Sequence, residues 1–422
     1  MTQIRLFPRY ACSMLVRLLA AILIGAVLLS AVCLLPTGPM DKNLERSAET
    51  FAEEGIYPVL FPWCTSRLDS TTDALILLIS AFDSSENPVI QAMSGSWNTL
   101  SSEEVSSDML AAHYGEGIPF DGSEPYYQYW HGYQVIIRPL LSLFSYPSIR
   151  ILNGILQTAL LLVLCLMLKK RDMGQYILPY LTAVLMLMPL ALAMSLQFSS
   201  CYYILTLGSM AVLGMNKTLD RRDGLVFLYI GIATAYFDFL TYPAATLGIP
   251  AVFYCCLRQD DSIRNTFCRG VKVCVSWAMG YVGMWAGKWL LGSLILGESV
   301  LTAATGALVE RSSADSNLLH NIRAALSANI KYFIYTPATA VAVLLALCLF
   351  AVLVKRLRSG STTVRQTAVI FFPFAILAVL PIAWYLVTSQ HAVVHYWFTN
   401  KGLVISVFAG LAALTKAVHK PI

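Results

Sequence analysis

The sequence predicts an all-α polytopic membrane protein, and three observations lead there. Hydrophobic residues make up 57% of the chain and charged residues only 13%, with a mean hydropathy of +0.65 that a soluble globule does not reach. Apolar segments long enough to cross a bilayer recur along the chain. Between them, Lys and Arg gather in alternate connections, the bias that holds basic residues on the cytoplasmic side. The expectation is about ten transmembrane helices, with one large outer loop bearing membrane-lying helices.

The segments fall near 14–35, 151–168, 175–195, 199–216, 224–241, 241–257, 273–296, 337–354, 366–387 and 399–415. With a cytoplasmic N-terminus, the inner side carries Arg5, Arg9 and Arg17; Lys169, Lys170 and Arg171; and Lys217, Arg221 and Arg222. Further along it carries Arg258, Arg264, Arg269 and Lys272; Lys355, Arg356, Arg358 and Arg365; and Lys416 and Lys420. Both termini are then cytoplasmic, and the expected location is the plasma membrane. Residues 1–35 read as a short cytoplasmic segment and a first helix. That helix is too long for a signal-peptide core, and Leu34-Leu35-Pro36-Thr37 offers no small-residue cleavage site, so it is read as retained.

Residues 36–150 form the extracytoplasmic loop, and 151–422 hold helices two to ten with a second outer loop at 297–336. A connection of such length is functional or disordered as a rule, and the tryptophans Trp63, Trp97 and Trp130 argue that this one folds. Within it, 72–80 reads as a helix capped by Thr71 or Thr72, too short to span and so expected along the outer leaflet. Residues 133–145 read as an interfacial segment, interrupted by Arg138 and broken by Pro139. The acidic run from Asp41 to Glu54 has the look of a solvated helix face.

Several function classes drop out. The net charge of +5 resides in short inner turns, so nucleic acid is not an expected partner. Of ten cysteines only Cys64 is clearly in an outer loop, which argues against a disulfide framework. No Cys/His spacing suggests zinc. Cys255-Cys256 reads as a pair of small apolar residues or as a palmitoylation site. No P-loop, Rossmann fingerprint, GxSxG or HExxH stands in a credible context, and no internal repeat is seen. No cofactor is expected; a divalent metal is compatible with the chain but nothing indicates one.

Five outer clusters could carry chemistry. Asp69 and Asp73, four apart at a helix start, suit a partly desolvated general base or simple helix capping. Tyr129, Trp130 and His131 lie in an aromatic run that suits stacking on sugar faces or an interfacial belt. Arg138, Lys288 and Lys401 run against the charge bias and suit a lipid phosphate or snorkelling to the interface. Asp238, in Phe237-Asp238-Phe239, binds substrate or pairs with a cation such as Lys288. His391 and His395 have helical metal-ligand spacing but no third ligand nearby.

In architecture the chain resembles the GT-C type of polytopic glycosyltransferase. The resemblance rests on the first span, the outer loop 36–150, and the stretch Arg138-Pro139-Leu140-Leu141 leading to Arg150 and span two. It looks most like a bacterial subset with the motifs at Tyr129 to Leu141, Phe237 to Pro243 and His391 to Lys401. The resemblance implies transfer of a sugar from a polyprenyl-phosphate donor to a cell-envelope glycan or lipid acceptor at the outer face. Asp69 would be the base with Asp73 in support, and Arg138, Lys288 and Lys401 would hold the phosphate. Tyr129, Trp130 and His131 would line the sugar site, with Asp238 and His395 as further substrate-binding candidates. Better-known members carry the acid closer to span one, where this chain has Asp41 to Glu54. The alternative function is a polytopic transporter or lipid-linked sugar flippase, with Asp238 and Lys288 along a path and membrane lipids as partners.

Overall fold

A computed structural model describes residues 2–84, 87–215, 219–258, 262–312 and 318–419. Lys217 and Lys420 fall outside them, and the side chains of Arg5, Arg9, Arg221 and Arg222 are not described. Almost everything described is helical. Six stretches are long and apolar enough to cross a bilayer: Tyr10–Val32, Tyr146–Lys170, Leu196–Gly214, Pro337–Arg358, Val364–Val387 and Tyr396–His419. Their outward side chains, such as Val27, Leu162 and Leu344, are apolar and exposed. The chain is thus built to be embedded in a membrane.

The helices that carry these stretches are α1 (Thr2–Val32), α7 (Tyr146–Lys170), α10 (Leu196–Gly214), α16 (Pro337–Arg358), α17 (Val364–Val387) and, for most of the last, α20 (Val404–His419). The remaining apolar segments take other forms. Segment 175–195 divides into α8 (Ile177–Met186) and α9 (Pro189–Met194), with Met188 between them at φ 58°. Pro189 causes the break, since it lacks an N–H and keeps its predecessor out of the helical region. Segments 224–241 and 241–257 are α11 (Leu219–Phe237) and α12 (Ala244–Leu257), and 273–296 is the second part of the 34-residue α13 (Ile263–Leu296). α11 and α13 approach through glycine. A Cβ at Gly231 would lie 2.1 Å from the Trp277 carbonyl oxygen, and one at Gly280 2.2 Å from that of Leu228. Only residues without a side chain allow backbones this close.

The other elements sit at one end of the bundle, the loop face; the opposite end is the basic face. Segment 36–150 is folded. It contains α2 (Gly38–Glu54), α3 (Ser70–Ala81), α4 (Pro88–Ser94), α5 (Ser106–Glu116) and α6 (Gln134–Leu143). It also has a two-stranded antiparallel pair, β1 (Trp97–Thr99) and β2 (Gly122–Glu124). In α2 the acids alternate with a buried stripe of Met40, Leu44, Ala48 and Phe51, the helical spacing of a one-sided surface element. Loop 297–336 supplies α14 (Val300–Arg311) and α15 (Leu318–Ile334), and α18 (Ser389–Val394) and α19 (Tyr396–Thr399) precede α20.

Two expectations for this region are corrected. α3 does not lie along a leaflet. It is enclosed by α2, α5, α6 and α10, with Ala74, Leu77 and Ile79 all buried, and its N-cap is Asp69 rather than a threonine. Pro139 does not break α6, which runs through it. One lost ladder bond is tolerated because Ile137, Arg138 and Leu141 anchor the buried face.

Candidate functional site

α3 is aimed at the N-terminus of α10, and Asp73 makes the joint. Its carboxylate accepts from the Tyr146 hydroxyl (2.7 Å), the backbone N–H of Leu196 (2.9 Å) and Gln197 (3.0 Å), and the Ser195 hydroxyl (3.2 Å). An acid placed on the free N–H groups that open a helix is favourable both as a cap and toward the helix dipole. Arg150 donates to the Tyr146 hydroxyl (2.6 Å) and pairs with Glu54 (2.5 Å), tying α7 and α2 to the same joint. Asp73 is therefore fully engaged in scaffolding and has no lone pair to spare for a substrate.

Asp69, one turn earlier, is different. It is only 4% exposed, and its Oδ1 accepts the Thr72 backbone N–H at 2.9 Å. Burial, followed by the nearby Asp73 charge, pushes its carboxyl up to about 6, against the pull of the Thr72 bonds and Arg67. The Arg67 guanidinium is held 5.0 Å from the Tyr57 ring and 5.4 Å from the Trp397 ring. Trp397 leads in turn to His395, whose ring is 5.3 Å away. Lys401 Nζ donates to the carbonyl of Thr65 (2.8 Å) and to that of Leu187 (3.2 Å), and sits 5.0 Å from the Phe198 ring.

Among the buried polar atoms without a hydrogen-bond partner, several lie on these same short segments: Thr65 Oγ1, Arg67 Nε, Ser70 Oγ, Gln197 Oε1, His395 Nδ1, Trp397 Nε1 and both amide atoms of Asn400. Each such atom costs about 1–3 kcal/mol unless something pairs with it. The local composition, a carboxylate, two cations, two aromatic planes and a set of open donors and acceptors, is suited to a polyhydroxylated or phosphorylated ligand.

The remaining sequence candidates fall into two other neighbourhoods. Lys288 donates to the Met93 carbonyl at 2.8 Å at the end of α4, beneath the Trp130 ring 5.8 Å away. Arg138 donates to the Phe82 (3.3 Å) and Leu35 (3.4 Å) carbonyls. Both cations thus satisfy backbone oxygens. Trp130 Nε1 donates to the Met284 carbonyl at 2.7 Å, and Tyr129 and Trp130 are buried.

His131 has a left-handed φ of 55°. Its Nε2 bonds the Tyr126 carbonyl (2.6 Å), which requires the N–H there, and Nδ1 then accepts from the Tyr133 hydroxyl (2.9 Å). Burial lowers this imidazole to about 3, so it is neutral. A Cβ at Gly132 would lie 2.5 Å from the Tyr236 carbonyl oxygen, which receives the Gly132 N–H at 2.9 Å. The aromatic run is a tightly sealed plug between the loop-face helices and α11.

Asp238 does not pair with Lys288. It accepts from the Thr241 hydroxyl (2.6 Å) and N–H (3.0 Å), closing the turn that carries Leu240 at φ 64°. His391 Nε2 bonds the Leu240 carbonyl at 2.9 Å, and its ring is 4.7 Å from that of His395. Burial, then neighbouring charge, lowers these imidazoles to about 3 and about 4. Among the described residues no group of three or more His, Cys, Asp or Glu side chains could hold a metal ion.

A groove of about 680 Å³ descends from this region between α7, α10 and α11. Ile76 and Leu196 line it near the loop face, and Ile204, Leu207, Ala211 and Met215 line it toward the basic face. It is largely apolar, with Asn153, Ser199, Ser200 and the hydroxyl-bearing Tyr133, Tyr203 and Tyr229 as polar exceptions. Asp73 stands at the junction of groove and polar cluster, because its partners Leu196 and Gln197 face one each.

Sequence reasoning singled out Asp69, Lys401 and His395 but gave no role to Arg67, Tyr57, Gln197, Trp397 or Asn400. Arg67 and Asn400 each sit within two residues of a named candidate, which was the available signal. Gln197 and Tyr57 have none, since only the tertiary fold brings Tyr57 to Asp69 and Gln197 to Asp73. No family model matches the chain, and neither does any curated protein or solved structure.

Proposed function

We propose that the protein is a GT-C-like glycosyltransferase that moves one sugar from a polyprenyl-phosphate donor to a hydroxyl of a cell-envelope glycan or lipid. In this reading the loop face is the outer face of the plasma membrane, both termini are cytoplasmic, and the apolar segments make about ten crossings. The observation that carries it is the junction at α3 and the start of α10. An apolar groove of about 680 Å³ ends there at Ile76 and Leu196, and Ser70 Oγ and Gln197 Oε1, buried without a hydrogen-bond partner, lie on the same two segments.

Asp69 removes the proton of the acceptor hydroxyl as its oxygen attacks the anomeric carbon. The bond from that carbon to the phosphate oxygen breaks, and polyprenyl phosphate leaves as an anion, with inversion. A base near pKa 6 suits this at neutral pH, being ionised yet still basic. Arg67, whose charge acts on Asp69, and Lys401, held on the Thr65 carbonyl of the preceding segment, offer positive charge to the departing phosphate, and the Tyr57 and Trp397 planes suit a sugar face. Asp73 supports Asp69 by fixing α3 on α10. Arg138 and Lys288, held on backbone carbonyls, act as scaffold and bear on substrate only at a distance. Their engagement also favours this reading over a transporter, in which the buried cations would have to serve a moving cargo.

The test is a liposome assay with the full chain, a set of radiolabelled polyprenyl-phosphate sugars and an envelope extract. Label should pass to the extract from a lipid-phosphate sugar and not from the corresponding nucleotide sugar. Ile204→Trp, which fills the groove, should slow transfer at least about tenfold. Transfer from the nucleotide sugar at an equal rate would overturn the proposal.

A further inference from the structure

The segment leading from α2 to α3 carries no charged residue between Glu54 and Arg67, and its first part reads Ile56-Tyr57-Pro58-Val59-Leu60-Phe61-Pro62-Trp63. It is not helical, and it folds back on itself. Val59 bridges antiparallel to Arg67. Leu68 gives its N–H to the Pro58 carbonyl (2.9 Å), and Ser70 gives its own to that of Ile56 (3.1 Å). The Ser66 hydroxyl braces the turn from inside, accepting the Phe61 N–H (3.0 Å) and donating to the Trp63 carbonyl (2.7 Å). Leu60 packs onto the main core, whereas Val59 and Phe61 on either side of it are 54% and 38% exposed. Pro62 is exposed as well, and the Phe61 and Trp63 rings lie 5.4 Å apart. Apolar surface gathered in this way on an ordered loop marks a contact.

Depth and backbone say what covers it. Lys401 belongs to the bilayer-length stretch Tyr396–His419, and its Nζ holds the Thr65 carbonyl (2.8 Å) together with that of Leu187 (3.2 Å), at the α8–α9 break. Glu54, where the segment leaves α2, pairs at 2.5 Å with Arg150 near the start of the bilayer-length α7. Both ends of the loop are thus tied to the loop-face ends of helices that can cross a membrane. Of the residues Pro58 to Trp63, the prolines have no N–H. Leu60, Phe61 and Trp63 donate to the Ser66 carbonyl (3.5 Å), the Ser66 hydroxyl (3.0 Å) and the Phe61 carbonyl (2.6 Å). A non-helical segment can approach hydrocarbon only when its backbone donors are satisfied from within. Charge is divided in the same sense, with Glu54 and Arg67 at the neck and the rings at the tip.

We propose that the loop from Ile56 to Trp63 inserts into the loop-face leaflet, with Val59, Phe61, Pro62 and Trp63 entering the boundary between headgroups and acyl chains. Aromatic rings favour that layer, because their faces meet the chains while a polar edge meets the headgroups. Arg67 at the neck then stands at headgroup level, its guanidinium beside the Tyr57 and Trp397 rings. Asp69, two residues further on, is thereby held beside the leaflet, so a ligand anchored in lipid reaches it without leaving the membrane. The insertion itself needs no chemistry at Asp69 and stands apart from the transferase reading.

The test is a spin-label depth measurement on the full chain in vesicles of phosphatidylcholine and phosphatidylglycerol. Phe61→Cys and, separately, Val59→Cys would carry a nitroxide on the new thiol. Both replace outward side chains, so the fold should be kept. Ser123→Cys, on the exposed strand β2, gives the water-facing reference, and the wild-type chain labelled in parallel gives the background of the native cysteines. Relaxation of each label is read with oxygen, which concentrates among acyl chains, and with a nickel chelate confined to water. At residues 61 and 59 oxygen should outweigh nickel, and at 123 the order should reverse. Nickel outweighing oxygen at 61 or 59, as at 123, would put the loop in water and overturn the proposal. Poor access of both reagents to 61 and 59 would overturn it too, since it would mean that protein, such as a second copy of this chain, covers the loop.

Discussion

Asp69 and Asp73 stand one turn apart on α3 and are chemically opposite. Asp73 has four donors on it from other segments, whereas the Asp69 carboxylate bonds only within its own helix turn, to Thr72. Their substitutions should therefore separate. Asp69→Asn keeps shape and cap and removes the base, so transfer should fall by about 10²–10⁴-fold with the thermal midpoint little changed. Asp73→Asn cannot accept from all four donors, so it should lower stability by about 1–3 kcal/mol, read as a reduced thermal midpoint, with transfer lost only in proportion to the folded fraction. Asp69 also makes stability depend on pH. Its folded carboxyl lies near 6, above the ordinary 3.8, so the folded state holds the proton more tightly. The associated stability is present below about pH 3.8 and lost as pH rises through about 6. A thermal-midpoint series in detergent should show that decline in wild type, and Asp69→Asn should flatten it.

Among the elements, α3 shows how far the sequence could be read. Its existence and span followed from an apolar run behind polar capping residues, and the structure places it at Ser70–Ala81. Its setting did not follow, because a helix apolar on every side reads alike whether it meets lipid or other helices. Only the acidic amphipathic α2 and the amphipathic α6 reveal that a folded layer covers α3. Pro189 announced the α8–α9 break in principle, but an uninterrupted apolar run concealed it. The contact of α11 with α13 was hidden for another reason. Gly231 and Gly280 are ordinary in composition, and nothing local marks them as crossing points. Gly280→Leu should push those helices apart and cost about 1–3 kcal/mol or more. A thermal midpoint within error of wild type would contradict that packing.

For the whole molecule, composition and charge alternation were enough to read a helical membrane protein, and six bilayer-length helices agree with them. The candidate site was only partly legible. Asp69, His395 and Lys401 come from segments more than three hundred residues apart in the chain, and a single sequence does not say that such segments meet. The aromatic run at Tyr129–Tyr133 drew attention because rings near a membrane suit sugars. Here the rings seal the loop-face layer onto α11, a role that density of aromatics cannot distinguish in advance. The molecule that results has an apolar groove between α7, α10 and α11, and a buried carboxylate, Asp69, at the start of the helix whose Ile76 lines its loop-face end. The role of Asp69 is measured most directly by the pH dependence of sugar transfer by the reconstituted protein, wild type against Asp69→Asn. A base must be unprotonated to act, so the wild-type rate should climb with pH through a midpoint near 6, and Asp69→Asn should be slow and flat over the same interval. Equal rates for the two proteins, or a wild-type rate indifferent to pH across that midpoint, would contradict the assignment of Asp69 as the base.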